Sequence, residues 1–331
     1  MNTPKEILVR LPNWLGDMVM AYPFLNSLER TYPKASITII AKKGLESLVP
    51  YLGNFTKVIP FSKKEFPGLK GVYRFGKIIG KSPIFDLFFC LPDSFSSAVM
   101  GYATGAKHRV GYRKELRQWM LTHSANFPAE GTHRSEVYRN LLLHYHPDAI
   151  NEEVAYLNIE APEKLFPLPK GKNLVFNVNS NADSRRLPVF KAVEFMNHWL
   201  ATTQYNLILP GHHTEFDYVE NIAKLANSTD RIFNLAGKTS IPELMAVLQQ
   251  ADQMVTTDTG IAHLGNAMGT PTVMLLGAAD ERVTAPIFSK NLSMPRVAGL
   301  ACAPCVRNTC GVGGVPCLTG IKVDSLLIGG Y

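Results

Sequence analysis

Three stretches of this sequence place polar or charged side chains directly behind an apolar, strand-like run. Thr256-Thr257-Asp258-Thr259-Gly260-Ile261-Ala262-His263 joins a strand to a helix. Asp258 would cap that helix, Thr259 and Gly260 would present backbone N–H groups, and His263 would sit about one turn in. Such a turn can cradle a pyrophosphate beside a cation-capable side chain; it can also be a structural cap with a core histidine. Asn179-Ser180-Asn181-Ala182-Asp183-Ser184-Arg185-Arg186-Leu187-Pro188 also leads into a helix. Small polar residues such as Ser180, followed by Arg185 and Arg186, suit phosphate, and a polar surface loop is the alternative. Leu11-Pro12-Asn13-Trp14-Leu15-Gly16-Asp17-Met18-Val19 follows the first strand. Gly16 permits a tight turn there. Asp17 is either an N-cap or a carboxylate able to accept a proton from a sugar hydroxyl, kept ionised by the helix start.

A fourth feature is Cys302-x2-Cys305-x4-Cys310-x6-Cys317. Four thiols at these intervals can meet the tetrahedral demands of zinc, or can be packed, reduced thiols. The remaining cysteine, Cys90, lies in an apolar run and reads as core filler.

Such residues need strands that end at a common edge. In the first half, strands are expected at Glu6–Leu11, Ser36–Ile40, Thr56–Pro60, Ile84–Phe89 and Arg109–Tyr112. Helices are expected at Asp17–Tyr32, Gly44–Tyr51, Leu69–Ile79 and His133–Tyr145, the last with apolar residues at helical spacing. Ala161–Lys172, with three prolines and a glycine, reads as a linker. A second cycle then runs from the strand Asn173–Asn179 through the helix Pro188–Thr203 to the strand Thr272–Leu276. Alternating strands and helices predict an α/β fold of two doubly wound, Rossmann-like domains, 1–165 and 166–331, facing a central cleft. Ligands should then bind at the carboxyl ends of the strands. Gly-x-Gly-x-x-Gly after the first strand and the Walker A pattern are both absent, which argues against a dehydrogenase and a P-loop kinase.

The 331 residues carry 34 Lys/Arg against 27 Asp/Glu, a formal charge of +7. The excess is one-sided: residues 1–165 hold 21 bases and 15 acids, the remainder 13 and 12. From Lys57 to Lys81 seven bases, Lys63, Lys64 and Lys70 among them, meet only Glu65. This patch suits an anionic partner or is a solvated face; no nucleic-acid module surrounds it, so nucleic acid is not expected. Neither an apolar leader nor an apolar run of bilayer length is found, so a cytoplasmic location, at most peripheral on a membrane, is expected.

Ile7-Leu8-Val9-Arg10, Gly16-Asp17-Met18-Val19 and Pro23, then Arg185-Arg186-Leu187-Pro188, then Asp258-Thr259-Gly260-Ile261-Ala262-His263-Leu264 and the cysteine loop occur in the order of glycosyltransferase family 9. The chain resembles that family's ADP-heptose:lipopolysaccharide heptosyltransferases, most of all type II, over nearly its whole length. The resemblance implies a GT-B arrangement, with the donor ADP-L-glycero-D-manno-heptose on the second domain and a lipid-A/Kdo-linked acceptor on the first. It implies inverting, metal-independent transfer at the inner membrane surface, with no cofactor. By position, Asp17 resembles the general base, and Arg185 stands where a lysine usually stabilises the departing diphosphate. By position Asp258, Thr259, Gly260 and His263 become donor contacts, and Ser180 and Arg186 of the phosphate-suited loop join them; the basic patch, not the resemblance, gives Lys63 and Lys64 as acceptor contacts, helped by Arg109, Arg113 and Arg117. Two departures are visible: Leu187 replaces a tryptophan, and His212-His213 replace an acidic residue, with Glu215 a little later. Alternatives are a transferase or epimerase for another sugar nucleotide, and a non-catalytic protein binding a sugar nucleotide or lipid A.

Overall fold

A computed structural model describes residues 3–151, 162 and 164–326. The chain forms two compact units, Met1–Leu157 and Asn158–Tyr331, and the division falls among residues outside those described.

The first unit is built from β1 (Glu6–Arg10), α1 (Leu15–Met20), α2 (Tyr22–Thr31), β2 (Ser36–Lys42), β3 (Lys57–Phe61), α3 (Gly68–Ile79), β4 (Leu87–Cys90), α4 (Phe95–Thr104), β5 (His108–Tyr112), β6 (His123–Ala125) and α5 (Arg134–Tyr145). Its strands pair in parallel in the order β3-β2-β1-β4-β5-β6. The second unit holds β7 (Asn173–Asn177), α6 (Val189–Thr202), β8 (Asn206–Leu209), α7 (Phe216–Leu225), β9 (Ile232–Asn234), α8 (Ile241–Gln250), β10 (Gln253–Thr257), α9 (Gly260–Ala267), β11 (Thr272–Leu275) and β12 (Leu292–Ser293). Its parallel order, β12-β11-β10-β7-β8-β9, repeats the same winding. Central strands such as β4 (Leu-Phe-Phe-Cys) are apolar throughout because crossover helices cover both faces of a parallel sheet. The second core gathers Phe176, Phe195 and Trp199, with Leu187 fully buried in the same cluster.

In each unit the winding direction reverses once, between β1 and β4 and between β7 and β10. Neighbouring crossovers leave opposite faces there, which opens a crevice at the carboxyl ends. The expected doubly wound pair is therefore present, with local differences. The expected helix 17–32 is two helices meeting at Ala21, because Pro23 lacks an N–H and cannot continue the ladder of α1. Gly44–Tyr51 contains only a tight 3-10 turn over Glu46–Tyr51, with Pro50 inside it. The helix α4 and the short strands β6 and β12 were not expected.

Helix α3 turns Val72, Phe75 and Ile79 inward and leaves Leu69, Lys70, Tyr73, Arg74 and Lys77 exposed, with no acid in the helix. Among the described residues no helix is long and apolar enough to cross a membrane.

Candidate active site

At the reversal point of the second sheet, neighbouring strand ends are tied by short polar side chains. Asn177 at the end of β7 donates from Nδ2 to the hydroxyls of Thr256 (3.0 Å) and Thr259 (2.9 Å). Thr257 donates to the Asn179 carbonyl at 2.5 Å. Onto this frame falls a charged pair: Arg185 Nη1 meets Asp258 Oδ2 at 3.0 Å, with the Asp258 side chain 6% exposed and that of Arg185 35%. Asp258 is thus no helix cap. Thr259 occupies the N-cap position of α9, and the Asp258 carboxylate turns to the guanidinium that can neutralise it. Gly260 opens α9, and His263 is buried on its first turn.

Ser180 closes its own loop by accepting the Ala182 N–H at 3.2 Å. Arg186 donates to the Ser180 carbonyl at 2.8 Å and lies 5.3 Å over the Tyr218 ring. Behind β8, Glu215 reaches back to the His212 N–H at 2.8 Å. A Cβ on Gly211 would stand 3.3 Å from that carboxylate, so an acid does reach this strand end despite the two histidines. The second sheet therefore gathers Ser180, Arg185, Arg186, Asp258, Thr259, Gly260 and His263 along one edge, where guanidinium groups and the α9 N-terminus suit a diphosphate.

In the first unit Asp17 sits on the first turn of α1, but the N-cap position belongs to Trp14 and the Asp17 carboxylate does not cap. Its Oδ1 instead accepts the Tyr138 hydroxyl at 2.9 Å and lies 3.8 Å from Arg134 Nε. Burial, reinforced by the Asp17 charge, holds the Tyr138 hydroxyl well above its ordinary value, so it stays protonated and donates. Asp93 borders the same group: burial opposes its ionisation, yet Lys114 at 2.7 Å and the nearby Arg134 charge hold its carboxyl below the usual range. Sequence reasoning did not single out Arg134 and Tyr138. Their signal was present, since positions four apart on the expected helix 133–145 share a face.

The proposed acceptor cations do not all reach this edge. Lys63 and Lys64 are exposed just beyond β3, and Lys63 lines a recess with Arg10, Asn13, Ser94, Ser96 and Ser97. Arg10 is buried, and desolvation brings it down to about 10. Arg113 follows β5 and donates to Ser124 at 3.0 Å. Arg109 is at the opposite, starting end of β5, bound to the carbonyls of Met120 (2.7 Å) and Ala106 (2.6 Å), which removes it from the carboxyl edge. Arg117 is fully buried and so cannot face an acceptor. It donates to the carbonyls of Tyr112 (2.8 Å), Pro92 (2.7 Å) and Ser94 (3.0 Å), pinning the loop behind β4.

The four clustered cysteines are free thiols, with Cys317 buried. Burial first, then the thiols of Cys310, Cys302 and Cys305, push the Cys317 thiol above its ordinary value. Yet among the described residues no group of three or more His, Cys, Asp or Glu side chains is placed to hold a metal ion. These side chains as they stand do not assemble the tetrahedral zinc site that the spacing allows.

Two doubly wound parallel sheets in succession, with charged side chains at both reversal points, fit the glycosyltransferase class. Residues 72–315 match glycosyltransferase family 9 (heptosyltransferase), and the chain belongs to that family. It is 26% identical to lipooligosaccharide heptosyltransferase 2 of Haemophilus influenzae over 310 residues, 86% of this chain and 87% of that one. Among solved structures, the ADP-heptose LPS heptosyltransferase II of E. coli superposes with a TM-score of 0.72 at 21% identity, covering 89% of this chain and 91% of that one. An E. coli heptosyltransferase with ADP-2-deoxy-2-fluoro heptose gives 0.71 at 17% identity, covering 89% and 94%.

Arg117→Met should cost about 2–4 kcal/mol, because several buried carbonyls lose a charged donor at once. Urea unfolding would read this as a lower midpoint; an unchanged midpoint would mean that these bonds contribute nothing net.

Proposed function

We propose that the chain transfers a heptose from ADP-L-glycero-D-manno-heptose to the inner core of lipopolysaccharide, with inversion at the anomeric carbon and no metal in the chemical step. The observation that carries this reading is the Arg185–Asp258 pair at the reversal point of the second sheet. Asp258 fixes one arm of the guanidinium, and about a third of the Arg185 side chain stays exposed to meet an anion. Relatives named as heptosyltransferases, one of them as an ADP-heptose LPS heptosyltransferase II, and a similar fold with ADP-2-deoxy-2-fluoro heptose support the donor assignment.

In this reading the donor diphosphate lies along Arg185, Arg186 and the start of α9, while Ser180, Asp258, Thr259 and His263 shape its surroundings. The acceptor hydroxyl oxygen attacks the anomeric carbon from the face opposite the diphosphate. Asp17 takes the hydroxyl proton as the new C–O bond forms, and ADP departs with the electron pair of the bond that breaks. Tyr138 and Arg134 hold the base in place from the Oδ1 side. Arg185 offsets the charge that grows on the leaving oxygen; arginine does this with a fork rather than the point charge of lysine. The acceptor is an anionic, lipid-linked core sugar, met by Lys63, Lys64 and Arg113 and by the acid-free face of α3, with the protein on the cytoplasmic side of the inner membrane. The four cysteines are structural thiols.

Calorimetry or thermal shift with ADP, UDP and GDP tests the donor. ADP at 100 times its dissociation constant should stabilise the fold by about 2.7 kcal/mol; a response to UDP alone would sink the heptose assignment.

Asp17→Asn should bind ADP as wild type does and melt within a few degrees of it, while losing about 10²–10⁴-fold in turnover. The assay runs with chelator in the buffer. Near-full activity of the variant would remove Asp17 as the base, and loss of wild-type turnover on chelation would remove the metal-free step.

Lys63→Glu with Lys64→Glu should raise KM for the acceptor at low salt by at least about thirtyfold, at about 1 kcal/mol for each cation lost near an anionic surface, with ADP affinity unaltered. An unaltered acceptor KM would make these lysines a merely solvated face.

A further inference from the structure

Beside the Arg185–Asp258 pair lies a contact that this chemistry does not use. Ser184 is 2% exposed and bound twice to one stretch of the cysteine loop. Its N–H donates to the Asn308 carbonyl at 3.1 Å, and its hydroxyl donates to the Arg307 carbonyl. Residue 184 directly precedes Arg185 within a single turn, Asp183–Arg185, whose own bonds are few: Arg185 N–H to the Ala182 carbonyl at 2.9 Å and Arg186 N–H to the Asp183 carbonyl at 3.3 Å. A turn this short does not fix its own position.

The partner stretch is better anchored. Val306 donates to the Ala278 carbonyl at 2.8 Å, fastening the loop to the segment behind β11. Cys317 and Leu318 at its far end belong to the core of the second unit. Between them, the backbone N–H of Val312, opposed by burial and helped by those of Val315 and Gly313, draws the Cys310 thiol below its ordinary value, so the loop turns back on that sulfur. The Cys305–Cys310 stretch is exposed over residues 306–309, is tied to the second unit through Val306, and meets the Arg185 turn through the carbonyls of Arg307 and Asn308.

We propose that the cysteine loop is a clasp that sets Arg185 for the donor diphosphate, with Ser184 as its positioning residue. The proposal rests on the reading that Arg185 meets the diphosphate, and it deepens that reading. Asp258 holds the guanidinium at one atom only, which fixes the tip of the side chain and not its root. The clasp fixes the root. With both ends set before the ligand arrives, little ordering remains to be done on binding, and affinity for a diphosphate rises for that reason.

The test is a double-mutant cycle on the full chain, read by calorimetric titration with ADP. Ser184→Ala removes one of the two clasp bonds and should weaken ADP binding by about five- to tenfold, the size of one buried hydrogen bond. In an Arg185→Ala background the same change should cost nothing further, because Ser184 acts through Arg185. If Ser184→Ala fails to fold, Ser184→Cys, which keeps a weaker donor of similar size, supplies the same comparison with a smaller loss. Equal losses in both backgrounds, or no loss in either, would overturn the clasp and leave Ser184 a stabilising contact. If Arg185→Ala alone leaves ADP affinity unchanged, the diphosphate reading itself fails and takes the clasp with it. Loss of ADP affinity in Arg185→Ala without any in Ser184→Ala overturns the clasp only.

Discussion

A carboxylate taken out of water must find a positive partner or give up its charge, and Asp258 is almost wholly buried at the end of β10. Arg185, on the loop behind the neighbouring strand β7, supplies that partner at 3.0 Å. This requirement organises the reversal point of the second sheet. It brings the β7 loop across to the β10 loop, where the Asn177 and Thr257 bonds keep the two strand ends in register. It also leaves Thr259, rather than the acid, at the start of α9. An aspartate spent on capping would have lowered the electrostatic attraction of that helix end for an anionic ligand; one neutralised by Arg185 does not.

The first unit solves a different problem with similar parts. Its reversal point carries two acids, Asp17 and Asp93, with Arg134 and Lys114 in answer. Two further arginines there are buried with no carboxylate among their hydrogen-bond partners in the described residues: Arg10 and Arg117 donate to main-chain carbonyls and to neutral side chains such as Asn13 and Ser97. They act as fasteners of the loops behind β1 and β4. The guanidinium suits this because several directed donors can satisfy several carbonyls at once. Counting bases along the sequence therefore overstates the positive surface of this unit, since some of its cations are interior.

The alternation of strand and helix was legible because it rests on local signals: apolar runs, prolines at helix starts and glycines behind strands. Both sheets and most of their elements follow from these. The helix α4, Phe-Ser-Ser-Ala-Val-Met-Gly-Tyr-Ala-Thr, was not legible, since its serines, glycine and β-branched residues weaken the helical pattern. It forms because α3 offers a surface for it, with Gly76 and Gly80 so near its carbonyls that a Cβ at either would stand 2.5 and 2.0 Å from the oxygens of Met100 and Thr104. The strands β6 and β12, three and two residues long, carry too little pattern to read.

At the sites, residue positions were legible and residue partners were not. An aspartate at a helix start reads as a cap, and both Asp17 and Asp258 invite that reading. What diverts each is a side chain distant in sequence, Tyr138 for the first and Arg185 for the second, 121 and 73 residues away. A cap contributes about 1 kcal/mol, and an uncompensated buried charge costs several, so Asp258, drawn inward, takes the counter-charge of Arg185 and no side chain caps α9. The same comparison favours a guanidinium over an ammonium at position 185. A lysine ammonium offers three rotating donors around one atom, so holding Asp258 and meeting a phosphate would draw on the same point. A guanidinium separates its donors across a rigid plane, and one Nη can stay on Asp258 while the other side of the fork addresses a ligand. Arg185 keeps the buried carboxylate neutralised, and in the proposed reading it does so with a diphosphate bound as well, which a single ammonium passing between two acceptors would not.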